Sequence, residues 1–460
     1  MAAVSLHGCA LTVLPGPRTA VPEHYAQAPA DVSAGIVDPV WYRSFASPEL
    51  DELIQSADAT NPDLAAARAR VEQANARARA AGAALLPEVS ADGSVASYSG
   101  HSGAGSGHET DWAALLSASY EIDFWGRNRA TARSARLQAA ASEADQEILR
   151  LTTRAAIANT YFQVLSLRER LRVAEAELKV LGNVLDVVQA RSQAGLTGAV
   201  ELATQRAAIA SAQGVIPQLR QQETEALGAL AILVGRAPEG FEINAQSLAS
   251  LSEPRVDAGL PSALLTRRPD LSAAEANLRS ADADVVAARA ALLPTIALTA
   301  TGGLQNPAVQ AAVLTLSGTG PTLTVGATLV QTVFDGGRRR AQRDLSTARA
   351  EELLAAYRAA VLAALVDVEN ALAARTHLEE QRPQLSAAVE QSQRAVDGAL
   401  TRYQAGSGDY LTLLEVQRAL YTAQDQMSQY TLQRLQVAVG LCRALGGGWR
   451  APAATNEAGR

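Results

Sequence analysis

Residues able to do chemistry are few and scattered in these 460 residues. The five histidines, His7, His24, His101, His108 and His377, lie far apart, and only His101 and His108 share a loop, a poor setting for a metal. No HExxH helix, nucleophile elbow or phosphate-cradling glycine loop occurs. The nearest approach, Asp335-Gly336-Gly337, leads into a helix without the further glycine or lysine that a phosphate site needs. Cys9 and Cys442 stand near opposite ends, so they make neither a metal cluster nor a disulfide framework. Glu415 and Arg418, three apart in a helical stretch, read by themselves as a solvated surface pair worth about 0.2–0.5 kcal/mol. The pattern predicts no enzyme, no cofactor and no metal.

Bulk properties narrow the classes further. Formal charge is 40 − 47 = −7, the wrong sign for a nucleic-acid partner. Hydrophobic residues make up 48% and charged residues 19%, enough apolar surface for a folded chain. Aromatics are only 4%, and long stretches are dominated by Ala, Leu, Gln, Glu and Arg, a composition that suits closely packed long helices. No run of about 18 apolar residues occurs, so a spanning structure, if there is one, must be a β-barrel. Near the start, Leu6-His7-Gly8-Cys9 looks like the lipobox that marks a cysteine for lipidation. Met1 to Gly8 supplies neither the basic n-region nor the apolar stretch of a signal peptide. Two readings of Cys9 therefore stand: a lipid anchor behind a start further upstream, or a free thiol in a tail.

The elements that would position any site come from an internal repeat. Asn61-Pro62-Asp63-Leu64 recurs as Arg268-Pro269-Asp270-Leu271, and Ala84-Leu85-Leu86-Pro87 as Ala291-Leu292-Leu293-Pro294, both offset by 207 (268 − 61 and 291 − 84). Phe124-Trp125-Gly126 matches Phe334-Asp335-Gly336, and Arg191-Ser192-Gln193-Ala194-Gly195 matches Arg402-Tyr403-Gln404-Ala405-Gly406. Val234-Gly235 matches Leu445-Gly446, so five anchors keep one order.

Each unit predicts a helix, two strands, a very long helix and a shorter return helix. Asn61 and Pro62 suit the first positions of a helix, and Pro87 ends it. Trp112, Ala114, Leu116, Ala118, Tyr120 and Ile122 then alternate with Asp111, Ala113, Leu115, Ser117, Ser119 and Glu121, a strand with one apolar face. Ile296, Leu298, Ala300 and Leu304, then Leu323, Val325, Ala327 and Leu329, repeat the alternation. From Gly126 to Ala194, apolar residues recur at four and three, as a coiled-coil seam does, and 69 residues make a helix of roughly 100 Å. Gly337 to Ala405 does the same, with Pro383 expected to bend or break it. Gly195 and Gly406 are ordinary helix stops.

The expected division is a tether over 1–38 and an entry segment with a short helix over 39–60. The first repeat covers 61–235, with a hairpin at 88–123, a long helix at 126–194 and a return helix at 198–234. A linker over 236–267 leads to the second repeat at 268–446 (hairpin 294–334, long helix 337–405, return helix 409–445) and a flexible tail at 447–460. Four strands of about ten residues cannot close a barrel, and open edges are not tolerated in lipid, so several chains must share one barrel. Trp112 at one strand end, with Tyr120, Phe124 and Trp125 at the other, fits an interfacial aromatic girdle. A soluble four-stranded sheet lying on helices is the competing reading.

In the order of these motifs the sequence resembles the TolC-like outer membrane factor family. Within it, the likeness is to the NodT-type lipoprotein branch that serves resistance-nodulation-division (RND) tripartite efflux pumps. The resemblance rests on the lipobox, Trp41-Tyr42-Arg43-Ser44-Phe45, Pro48-Glu49-Leu50, both Pro-Asp-Leu starts, both Leu-Leu-Pro stops, Asp123-Phe124-Trp125-Gly126 and the stretch Tyr403 to Gln424. It implies a mainly α protein with a membrane β-barrel part. Three copies would close twelve strands into an outer-membrane barrel continuous with a twelve-helix periplasmic tunnel. The partners it implies are a periplasmic adaptor (membrane fusion protein), an inner-membrane RND pump and outer-membrane lipid. By the same resemblance, Cys9 is lipidated, Gly195, Leu196, Thr197, Gly406 and Ser407 form hairpin tips that dock the adaptor, and Tyr403, Leu411, Glu415 and Arg418 narrow the entrance. A threefold ring of Glu415 carboxylates would disfavour anions, and a ring of Leu411 could close by dewetting. Thr412 is uncharged where some relatives carry a second acid. An exit duct for type I protein secretion, or a periplasmic coiled-coil scaffold, stays open as an alternative.

Overall fold

The computed structural model describes residues 21–26, 37–102, 105–196, 198–254, 256, 259–306 and 320–450. Cys9 and Thr197 lie outside the described residues. The helices are α1 (Pro48–Thr60), α2 (Pro62–Ala83), α3 (Arg127–Gln193), α4 (Ala199–Val234), the short α5 (Leu264–Arg267), α6 (Pro269–Ala290), α7 (Arg338–Gln404) and α8 (Tyr410–Ala444). The strands are β1 (Glu88–Ser102), β2 (Gly105–Ile122), β3 (Thr295–Asn306) and β4 (Gly320–Val330). None of these helices is long and apolar enough to cross a membrane.

The two compact units cut across the sequence repeats. Of the described residues, one gathers those within 70–143 and 273–359, the other those within 19–69, 144–272 and 360–460. Each draws on both repeats, because helices of 67 residues, about 100 Å long, extend beyond any one compact packing neighbourhood.

In the first unit the strands form one antiparallel sheet in the order β1-β2-β3-β4. Its register sets Val95 opposite Trp112, Ala91 opposite Leu116, Tyr120 opposite Leu298 and Ala300 opposite Val325. Directly opposed residues share a face, so the separate alternations merge into one apolar face across all four strands. The other face carries Ser90, Asp92, Ser117, Ser119, Thr299, Thr301 and Thr324. Acidic side chains cap the long helices where they leave the sheet. Asp123 accepts from the backbone N–H of Asn128 (3.0 Å) and Arg129 (2.9 Å), and Asp335 from that of Gly337 (3.0 Å) and Arg339 (3.2 Å).

In the second unit the core gathers Trp41, Phe45, Leu50, Ile54, Tyr161, Phe162, Leu165, Leu230, Val234, Leu435 and Val439. The entry segment belongs to this core: Trp41–Phe45 is a 3-10 turn whose rings meet edge to face, and Ser47 caps α1 by accepting from Leu50 N at 3.2 Å. Two equivalent staples hold the repeat starts. Asn61 Nδ2 donates to Leu233 O at 2.8 Å, and Arg268 Nη1 to Ala444 O at 3.0 Å, while Arg268 also pairs with Asp270 and Asp367.

Three expectations need correction. Pro383 does not break the helix into separate elements: α7 runs through it, and Glu379 to Gln384 are exposed, so the carbonyl left without an N–H partner lies on a solvated stretch. Residues 447–450 are not a loose tail. Gly446, Gly447 and Gly448 turn at positive φ, and a Cβ on Gly447 or Gly448 would strike Leu151 or Pro39. Nor are residues 21–26 a free tether. Tyr25 is buried, and Ala26 N donates to Glu369 Oε1 at 2.7 Å on α7.

Candidate functional site

Two surfaces carry functional residues, one in each unit. On the sheet, nine large side chains of the apolar face stand exposed in the protomer: Val89, Val95, Trp112, Leu116, Leu298, Leu304, Leu323, Val325 and Leu329, up to 78% at Leu323. Fully burying such a side chain is worth about 1.5–3 kcal/mol, so even partly exposed these nine forgo a sum comparable to the ~5–15 kcal/mol that stabilises an ordinary domain. A face of this kind belongs against lipid or another apolar surface. β1 and β4 each have one edge unpaired within this sheet.

Tyr120, Phe124 and Trp125 gather at one end of β2, but Trp112, expected at the other end, lies inside the strand, because β2 continues past it to Gly105. Trp112 and Tyr120 lie on the apolar face, Phe124 is exposed, and its ring meets Trp125 edge to face at 4.7 Å. Trp125 Nε1 donates to Pro294 O at 2.8 Å, anchoring the foot of β2 beside that of β3. Sequence reasoning passed over Val333 and Phe334, the latter 88% exposed just beyond β4. The repeat match between Phe124 and Phe334 was the signal that could have found them.

In the second unit both hairpin tips turn alike. Gly195 and Gly406 adopt φ of +71° and +74°. Leu196 N donates to Arg191 O at 2.8 Å and Ser407 N to Arg402 O at 3.0 Å, closing the paired bonds of a Schellman cap. Leu196 is exposed at one tip. Beyond the other, Asp409 caps α8 by accepting from Thr412 N at 3.1 Å, and a Cβ on Gly408 would strike Tyr403 N, two features the sequence reading passed over.

Leu411, Glu415 and Arg418 fall on one stripe of α8, and all three are exposed, Leu411 by 63%. Tyr403 does not join them. It is 2% exposed, packed with Leu181, Val184, Val188 and Leu413, its ring tilted against Tyr410 at 6.1 Å. The Arg191 guanidinium lies over this ring at 4.8 Å and donates to Tyr403 O at 2.8 Å, and Tyr403 Oη donates to Glu201 at 3.3 Å. Apolar packing and this cation hold Tyr403 between the hairpins, where it ties them together; that role for Arg191 was not legible in the sequence. Glu415 and Arg418 make no ion pair with each other among the described residues; the Arg418 charge acts instead on the carboxyl of Glu177 of α3.

The match to known proteins agrees with this geometry. A sequence model of the outer membrane efflux protein family matches residues 53–236 and 260–447.

The chain belongs to the outer membrane efflux protein family.

The likeness is close along the whole length of this efflux protein. It is 45% identical over 419 residues to the pyoverdine export outer membrane protein OpmQ of Pseudomonas aeruginosa, covering 89% of this chain and 87% of OpmQ. It is 41% identical over 461 residues to OpmQ of Pseudomonas putida, covering 98% and 97%. Among solved structures it is similar to the open state of the Neisseria gonorrhoeae MtrE outer membrane channel, with TM-score 0.84 and 30% identity, covering 95% of this chain and 97% of that one. The efflux protein is thus an outer-membrane efflux channel, its mainly helical fold joined to a membrane sheet. Its family is one of transport channels.

Proposed function

We propose that this efflux protein is the exit duct of a tripartite system, passing small molecules from an inner-membrane RND pump and a periplasmic adaptor to the exterior. The observation that supports it best is the continuous apolar face across a four-stranded sheet with two open edges. Three copies supply twelve strands, close every edge and turn the apolar face to lipid and the polar face to the lumen. Leu411, Glu415 and Arg418 line the entrance, the tips at Gly195, Leu196, Thr197, Gly406 and Ser407 meet the adaptor, and lipid on Cys9 tethers the chain. Relatives named for pyoverdine export make a cargo of that kind the first to test.

The test is mass and conductance of the complex extracted from outer membranes in detergent. A heat-sensitive trimer that conducts, with cation preference reduced in Glu415→Ala, supports the duct and its entrance. A monomer that stays soluble without detergent and conducts nothing returns the reading to a scaffold.

A further inference from the structure

Between the hairpins of the second unit, α3, α4 and α8 line a partly open cavity of about 160 Å³. Its polar groups are Glu177, Ser211, Gln417, Arg418 and Tyr421, set beside Leu414. Gln417 is 5% exposed, yet neither its Nε2 nor its Oε1 has a hydrogen-bond partner in the protein. The other buried glutamine of these hairpins, Gln205, has both ends engaged: Nε2 donates to Leu181 O at 2.7 Å, and Oε1 accepts from Tyr410 Oη at 2.8 Å. Buried amides are normally satisfied, so an amide with both atoms free beside a cavity calls for a ligand offering a donor and an acceptor together.

The charges beside it are of both signs. Glu177 is half-buried and has no contact ion pair among the described residues, while Arg418 stands near enough to favour its charged form. A simple cation would meet Arg418 there, and a simple anion would meet Glu177. We propose that this cavity binds a small zwitterion, an α-amino acid or a molecule of that size with one ammonium and one carboxylate group. The ammonium donates to Glu177 and to Gln417 Oε1; the carboxylate accepts from Gln417 Nε2 and Arg418. The volume holds several waters or one small amino acid, and Leu414 limits what side chain fits.

Protons couple to this binding. Burial pushes the Glu177 carboxyl up to about 7, against the opposing pull of Arg418. The titratable and charged groups that face it from α8 are Arg418 and Tyr421, and α4 contributes the uncharged Ser211. An ammonium prefers the ionised acid, so affinity rises with pH through about 7 and levels off above it.

Calorimetry on the detergent-solubilised full chain tests this without any reference to conductance, so its failure and that of the duct are separate. L-Alanine is titrated at pH 8 and pH 5.5, with methylammonium and acetate as half-ligands. Saturable alanine binding, about thirtyfold weaker at pH 5.5, is expected. Glu177→Gln should remove that pH dependence. Gln417→Leu should weaken binding about tenfold or more while thermal stability is kept, since an apolar isostere leaves no unpaired amide. Absence of saturable alanine binding in the millimolar range overturns the site, as does unchanged binding in Gln417→Leu. Equal binding of methylammonium alone overturns the zwitterion in favour of a plain cation site.

Discussion

Glu177 gives the residue scale its clearest pH dependence. Its carboxyl is pushed up from the ordinary 4.5 to about 7 by burial, so the folded chain holds this proton more tightly than the unfolded one. The stability this group contributes is therefore fully present below about 4.5 and is lost as pH rises through 7. Thermal unfolding of the detergent-solubilised protein should show that decline, and Glu177→Gln should flatten it across the same window. Glu415 stands differently: it is exposed on the Leu411 stripe, so its charge contributes little to folding, and in the proposed entrance it would act on ions. Glu415→Ala is expected to lower cation preference in asymmetric salt with unchanged unfolding temperature. Helical spacing and resemblance singled out Glu415 in the sequence, and the structure leaves it exposed on α8. The sequence could not show that Tyr403, on the same motif, is held inward by Arg191 and Tyr410, because that depends on which hairpin packs against it.

At the scale of the element, the long helices carry their own punctuation. Gly406 sits at φ +74° with open space around it, so Gly406→Ala meets backbone strain alone and should lower stability by about 1–2 kcal/mol. The change should show in thermal unfolding while channel conductance in bilayers stays as before. Pro383 sits on an exposed stretch of a continuous helix. Pro383→Ala restores an N–H and should stabilise α7 by about 1–3 kcal/mol, read as a higher unfolding temperature. Proline statistics alone favoured a break there. The 67-residue helix runs on because its seam is buried on both sides of the proline, at Tyr357, Val361, Val368 and Leu372 before it and at Val396 and Tyr403 after it.

For the whole molecule, the two faces of the sheet make opposite predictions one residue apart. Val325 belongs to the apolar face and Thr324 to the other. Val325→Lys places a charge on the lipid side and should cost about 2–4 kcal/mol near the midplane, reducing the heat-sensitive oligomer recovered from outer membranes. Thr324→Lys should leave that yield intact and alter single-channel conductance. Equal loss for both would show that the sheet is packed on both sides, as in a soluble fold.

By itself the sequence determined the repeat, the element types and the alternation within each strand, because these rest on spacing along the chain: 3.6 residues for a helix, two for a strand, and glycine where a helix must stop. It also set the net charge of −7, the wrong sign for a nucleic-acid partner. What only the tertiary structure decided were relations between distant segments. Sheet register placed Tyr120 beside Leu298 and so joined four half-apolar strands into one face. The packing of Tyr25 and of the glycines at 446–448 turned expected tails into parts of a folded unit. Gln417, an unremarked glutamine in a helical pattern, became a buried amide beside a cavity only when α3 and α4 closed around it. Spacing sets which face a residue is on; what that face meets is a property of the folded chain.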